Sequence, residues 1–117
     1  MNEFNGIRVA KANYTYGTTN DGSQATDLGL GVNIPQGAVV LEVLTRENTA
    51  FTSGGSATVA INIGSTEVLS AAAFDTGFDG VDSQYSTPAE MSGEVNIDIE
   101  TADLTDGDVD IFVKYIY

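Results

Sequence analysis

Apolar and polar residues alternate with a period of two along most of this 117-residue chain, the mark of strands that bury one face. In residues 56–63 the set Ala57, Val59, Ile61 and Ile63 lines one side, and Thr58, Ala60 and Asn62 the other. Residues 94–100 are cleaner still: Val95, Ile97 and Ile99 point one way, and Glu94, Asn96, Asp98 and Glu100 the other. Both read as half-buried antiparallel strands with a solvated face. In residues 108–117, Val109, Ile111, Val113, Tyr115 and Tyr117 share a side, while Phe112 and Ile116 stand with Asp110 and Lys114 on the opposite one. That second apolar set predicts a last strand covered on both faces. Val39, Leu41 and Val43, alternating with Val40, Glu42, Leu44 and Arg46, predict another of the same kind.

Fainter strands are expected over residues 7–11, 13–18, 27–32 and 67–70. Residues 17–23 and 52–55 carry turn chemistry, with Gly able to take positive φ, and Ile34-Pro35-Gln36-Gly37 turns the chain into the Val39 strand. Ala71-Ala72-Ala73 is the one helix-like fragment and is too short to form a helix alone. Residues 75–90 hold Gly77, Gly80 and Pro88 with Asp75, Asp79, Asp82 and Glu90, and read as a long surface excursion. About seven or eight short strands punctuated in this way make the chain all-β, an antiparallel β-sandwich or a jelly roll. Strand order is a long-range property, so the alternation leaves those two open. Residues 7–117 are expected to form a single β domain, preceded by a flexible N-terminal arm over residues 1–6.

Composition narrows the chemistry. The chain has no Cys, His or Trp. It therefore has no disulfide, thiol nucleophile, imidazole or thiolate zinc site, or Ser-His-Asp triad. Seventeen acidic residues against four basic ones give a net charge of −13, which repels nucleic-acid phosphates and anionic lipid headgroups. The imbalance is uneven. Residues 1–66 hold five acids and the three bases Arg8, Lys11 and Arg46, whereas residues 67–117 hold twelve acids and Lys114 alone. Residues 1–6 lack the charged region and apolar run of a signal peptide, so the chain is expected to be made and folded in a cytoplasm.

Several patterns could carry chemistry, and each has a plainer explanation. Asp106-Gly107-Asp108-Val109-Asp110 alternates carboxylates as calcium loops do, but Ile111 and Tyr117 stand where an EF-hand needs Gly and Glu. A turn leading into the outward face of a strand accounts for the spacing. Asp75, Asp79 and Asp82 could gather around a cation, without a firm signature. Carboxylate pairs are unavoidable among seventeen acids, and no aromatic subsite pattern accompanies any pair as a glycosidase would require. Ser53-Gly54-Gly55-Ser56 lacks the Lys of a phosphate loop and reads as a hairpin turn. No catalytic, cofactor-binding or metal-ligating residue is assigned, and the chain is expected not to be an enzyme.

A resemblance adds what the pattern alone does not. The chain runs from Ala12-Asn13-Tyr14-Thr15-Tyr16 through Asp27-Leu28-Gly29-Leu30-Gly31-Val32 to Ile34-Pro35-Gln36-Gly37-Ala38-Val39-Val40. It continues with Thr49-Ala50-Phe51-Thr52-Ser53-Gly54-Gly55-Ser56-Ala57-Thr58-Val59 and closes with Ala102-Asp103-Leu104-Thr105-Asp106-Gly107-Asp108 and a strand ending in Lys114-Tyr115. This order resembles the small β-rich structural proteins of tailed-bacteriophage virions, particularly capsid decoration (cement) and head-fibre proteins. The likeness spans residues 12–115, with residues 75–90 unmatched.

The resemblance implies a module without catalytic residues or cofactor that binds the outer surface of a phage head as a homotrimer. Its partner would be the major capsid protein, whose neighbouring subunits it would bridge; nucleic acid and membrane are not expected partners. On this reading Phe4, Arg8 and Lys11 face the shell, and Phe112 and Ile116 form the contact between copies. A fibre or tail module that binds a host-surface receptor or glycan is the alternative, with recognition carried by residues 75–90.

Overall fold

The computed structural model describes residues 6–73 and 81–117, with backbone alone for residues 71–73 and 82. Nine strands follow one another: β1 (Ile7–Thr15), β2 (Ala25–Ile34), β3 (Val39–Ser53), β4 (Thr58–Ile63), β5 (Thr66–Ala73), β6 (Val81–Tyr85), β7 (Ala89–Glu90), β8 (Gly93–Glu100) and β9 (Leu104–Ile116). The described residues contain no helix.

Strand pairing is nested. β1 pairs with β9, β2 with β8, β3 with β6 and β7, and β4 with β5, all antiparallel. Rolling that long double ribbon brings β9 against β3 and β8 against β4. The result is one sheet in the order β1-β9-β3-β6, with β7 also on β3, and a second in the order β2-β8-β4-β5. Two sheets made from nested hairpins in this order are a jelly roll, which settles the choice that alternation left open.

The inward sets of β4, β8 and β9 are those the pattern predicts, whereas in β3 a bulge between Val40 and Glu42 turns Val40 and Val43 inward together and breaks the expected alternation. Val59, Ile61 and Ile63 of β4 and Val95, Ile97 and Ile99 of β8 are each at most 1% exposed, and they face Val109, Ile111 and Val113 of β9 across the sandwich. Tyr14 is wholly buried, stacks on Phe51 at 6.1 Å between ring centroids and donates its hydroxyl to Asn20 Oδ1 at 2.7 Å. Gly107, at φ 145°, lies where a Cβ would run into the Phe51 ring, so this turn of β9 requires the missing side chain.

Three expectations change. The stretches 7–11 and 13–18 join into one strand that ends at Thr15. The Ala71–Ala73 fragment continues β5, with Ala72 opposite Val59 and Ala73 opposite Thr58; the neighbouring strand's backbone groups outweigh alanine's helix preference. The excursion is partly strand as well, since β6 and β7 fall inside residues 75–90 and pair along β3. Residues 74–80 and Phe4 lie outside the described residues, and so do Asp75, Asp79 and the Asp82 side chain of the suggested cation site. Elsewhere, no group of three or more carboxylates among the described residues is placed to hold a metal ion.

Candidate functional site

The outward side of the β1-β9-β3-β6 sheet gathers side chains from the whole length of the chain. Register sets its rows. Val9 stands beside Lys114, which stands beside Glu42. Lys11, Phe112, Leu44 and Ser83 form the next row across all four strands. Asn13, Asp110, Arg46 and Val81 form the one after it. Directly opposed residues in antiparallel strands share a face, so Lys11, Arg46 and Lys114, three of the four basic residues, lie on one side of one sheet.

The centre of this face is a carboxylate with four partners. Asp110 is only 3% exposed. Its Oδ2 accepts from Arg46 Nη2 at 2.6 Å and Nε at 3.2 Å, and from Asn48 Nδ2 at 3.0 Å, while Lys11 Nζ stands 3.7 Å away. Its Oδ1 accepts from Asn13 Nδ2 at 2.9 Å. Asn13 and Asn48 also donate to Asp108 Oδ1, at 2.7 and 3.3 Å. Burial pushes the Asp110 pKa up, but hydrogen bonds from Asn48, Arg46 and Asn13 and the charge of Lys11 outweigh it and hold the carboxyl at about 2. This one aspartate therefore ties β1, β9 and β3 together across their shared face.

Beside that clasp lies Phe112. The Arg46 guanidinium carbon is 5.2 Å, and Lys11 Nζ 5.9 Å, from its ring centroid, within the range of cation–π attraction. The ring and Ile116 are half-buried. The double covering predicted for β9 is thus supplied by these two long side chains, whose charged heads stand over the ring, rather than by another layer of structure. Further out, Ile7, Val9 and Val81 are 47%, 63% and 65% exposed. They are three of the five large apolar residues that the described surface leaves open.

The structure joins what the sequence reading kept apart. Lys11, expected to face a shell, and Phe112, expected at a contact between copies, are register partners on one face, with Ile116 two rows along. Arg8 stands opposite Tyr115 in the alternate set, exposed on the edge strand. Arg46, Asn13 and Asn48 escaped the sequence reading. Their only signal was the Asp-x-Asp spacing of Asp108 and Asp110, which shows that carboxylates face outward but not what meets them.

No protein-family model matches the chain, and no curated protein matches it by sequence. A solved structure does match by fold. It is a chain of the acidic stable capsid structure of Helicobacter pylori bacteriophage KHP30, similar at a TM-score of 0.62 over 95% of this chain and 87% of that one, with 14% sequence identity. The fold is one found in a phage capsid.

Proposed function

We propose that the chain is a structural protein of a tailed-bacteriophage virion, and within it a capsid decoration (cement) protein. It binds the outer surface of the head, bridges neighbouring major capsid subunits as a homotrimer, and acts by binding alone. The observation that carries this reading is the jelly roll shared over nearly its full length with a phage capsid chain. The order of sequence segments, which resembles decoration and head-fibre proteins, supports it independently.

The physics suits such a role. A shell presents many equivalent sites, so several copies bound together multiply a modest single-site affinity into tight retention. A net charge of −13 keeps the free protein away from the packaged genome and discourages its aggregation. Phe4, Arg8 and Lys11 belong to the shell contact on this reading, and deleting residues 1–6 or introducing Phe4→Ala is expected to weaken shell binding without unfolding the domain.

The deciding experiment is the copy number of this chain in purified virions relative to the major capsid protein, by quantitative mass spectrometry. A ratio near one per capsid subunit is the expected result. A few copies per particle would move the chain to a vertex, fibre or tail, and complete absence would overturn the virion reading.

A further inference from the structure

We infer that the free edge of β1 is a docking strip for the chain's own first five residues, which fold back along it as a short antiparallel strand turned at Asn5-Gly6. The inference concerns the free protein and stands apart from the virion reading.

Sheet edges invite pairing with other chains unless bulges, short strands or charges blunt them. β1 and β6 border one sheet, and β2 and β5 the other. Two register shifts break β2, two break β5, and one breaks the five-residue β6. Among these edges β1 alone runs nine residues in unbroken register, without Gly, Pro or an acid. Its Lys11, which could guard the edge, leans back over Phe112 toward Asp110.

The backbone shows what this edge offers. In an antiparallel pair, successive residues turn their N–H and C=O alternately toward the partner strand and away from it. The Tyr16 amide donates to the Gly107 carbonyl at 2.9 Å, and the Tyr117 amide to the Gly6 carbonyl at 3.4 Å. Both contacts continue the β1–β9 register by one step, so the even-numbered residues of β1 face β9. The odd ones, from Ile7 to Thr15, face away. At Thr15 the following turn uses those groups: the carbonyl accepts from the Thr18 and Thr19 amides at 3.1 and 2.8 Å, and the amide donates to Thr19 Oγ1 at 2.9 Å. Among the described residues nothing does the same for Ile7, Val9 and Lys11.

Residues 1–5 begin where this bare strip begins. Gly6 directs its carbonyl at Tyr117, so the Ile7 N–H, on the other side of the same planar peptide, points at the free edge. A two-residue hairpin needs that direction in the residue after its turn, and Asn-Gly is the dipeptide such turns favour. Turned at Asn5-Gly6, the segment sets Phe4 opposite Ile7, Glu3 opposite Arg8, Asn2 opposite Val9 and Met1 opposite Ala10. Phe4 then meets an Ile7 that is 47% exposed. Glu3 meets Arg8, which has no ion pair among the described residues. Apolar pairs and opposite charges set directly across two strands both stabilise them. Phe4 comes out beside Ile7 on the outward side of the sheet, where the shell contact proposed above still reaches it.

The covalent link favours this segment over a second copy. Tethered through a two-residue turn, it acts at an effective concentration that is roughly millimolar, whereas two free copies at −13 each repel one another. A lone hairpin this short is marginal in water, so the segment docks only once β9 holds β1 from the other side.

Amide hydrogen exchange, followed residue by residue by NMR, tests this on the full chain and on a chain lacking residues 2–5. Thermal melting checks that each protein is folded. The Val9 amide is expected to exchange about tenfold more slowly in the full chain, and the Lys11 amide, beyond the reach of Met1, equally in both. Glu3→Lys is expected to speed Val9 exchange about twofold, and Glu3→Lys combined with Arg8→Glu to restore it. Equal Val9 exchange in the full and shortened chains overturns the inference. Protection that rises with protein concentration overturns it too, by giving the edge to a second copy. A charge swap that restores nothing overturns the register.

Discussion

On the β1-β9-β3-β6 sheet the outward positions hold Lys11, Arg46 and Lys114, matched by Glu42, Asp108 and Asp110, among Val9, Leu44 and Phe112. On the β2-β8-β4-β5 sheet they hold Glu67, Glu94, Asp98 and Glu100 with Asn62 and Asn96. Each face keeps a polar network at its centre, yet the two are held differently. The first closes on an ionised aspartate, Asp110, met by a guanidinium, an ammonium and two amides. The second closes on neutral amides: Asn62 donates to Asn96 Oδ1 at 2.9 Å and to Asp98 Oδ2 at 3.3 Å, and Asn96 donates to the Gly64 and Glu94 carbonyls at 3.0 Å each. A charged clasp concentrates its stabilisation in one group. A ladder of amides spreads it.

The largest effect should come from removing that one group. Asp110→Ala removes the acceptor that Arg46, Asn13 and Asn48 share, leaving the two amides to Asp108, and is expected to lower stability by about 3 kcal/mol, whereas Glu100→Ala on the opposite face should change it by less than about 0.5 kcal/mol. Urea unfolding of the two variants measures both, and equal losses would erase the distinction between the faces.

Next in size is the response to acid. Because Asp110 titrates at about 2 when folded, below its ordinary value of 3.8, its contribution is fully present above pH 4 and disappears as pH falls through 2. That loss is on the order of 2 kcal/mol. Melting temperatures between pH 4 and pH 2 should therefore fall less steeply for Asp110→Asn than for wild type. Parallel curves would show that the clasp does not govern acid stability.

On the amide side, Asn96→Ala leaves Asn62 without its main acceptor and the Gly64 carbonyl without its amide donor, for an expected loss of about 1–2 kcal/mol. Unlike the Asp110 variant, it should leave the shape of that acid profile unchanged. The smallest effect is electrostatic and of opposite sign. Glu67→Gln with Glu100→Gln should stabilise by a few tenths of a kcal/mol at low salt by reducing like-charge repulsion, with the gain fading as salt screens it. A gain unaffected by salt would point away from charge.

Much of this was legible in the sequence, and the illegible parts share a cause. The inward sets of β4, β8 and β9 follow from β-branched residues at alternate positions, and Pro35-Gln36-Gly37 marks its turn with the Ala38 amide donating to the Pro35 carbonyl at 3.2 Å. Ala71–Ala73 and the polar β6 carry no such pattern, because their strand character is imposed by β4 and β3. The gathering of three cations on one face was hidden for the same reason. Lys114 sits in the acidic half of the chain and joins Lys11 and Arg46 only once β9 lies between β1 and β3. Nor could Asp-x-Asp spacing announce that Asp110 is buried, since its partners come from three separate segments.

The nesting of the strands also fixes an order in time. β1 leaves the ribosome first, yet Ile7 finds its partner in Ile116, almost at the other end of the chain. At about 5–20 residues per second, β1 waits on the order of ten seconds for the strand that completes it, and a topology built on such distant pairings folds slowly once complete. During that wait both edges of β1 are bare, and the four groups that will surround Asp110 have nothing to surround. The clasp is therefore among the last things to form, and a chain stopped short of β9 lacks both its centre strand and the face built around it.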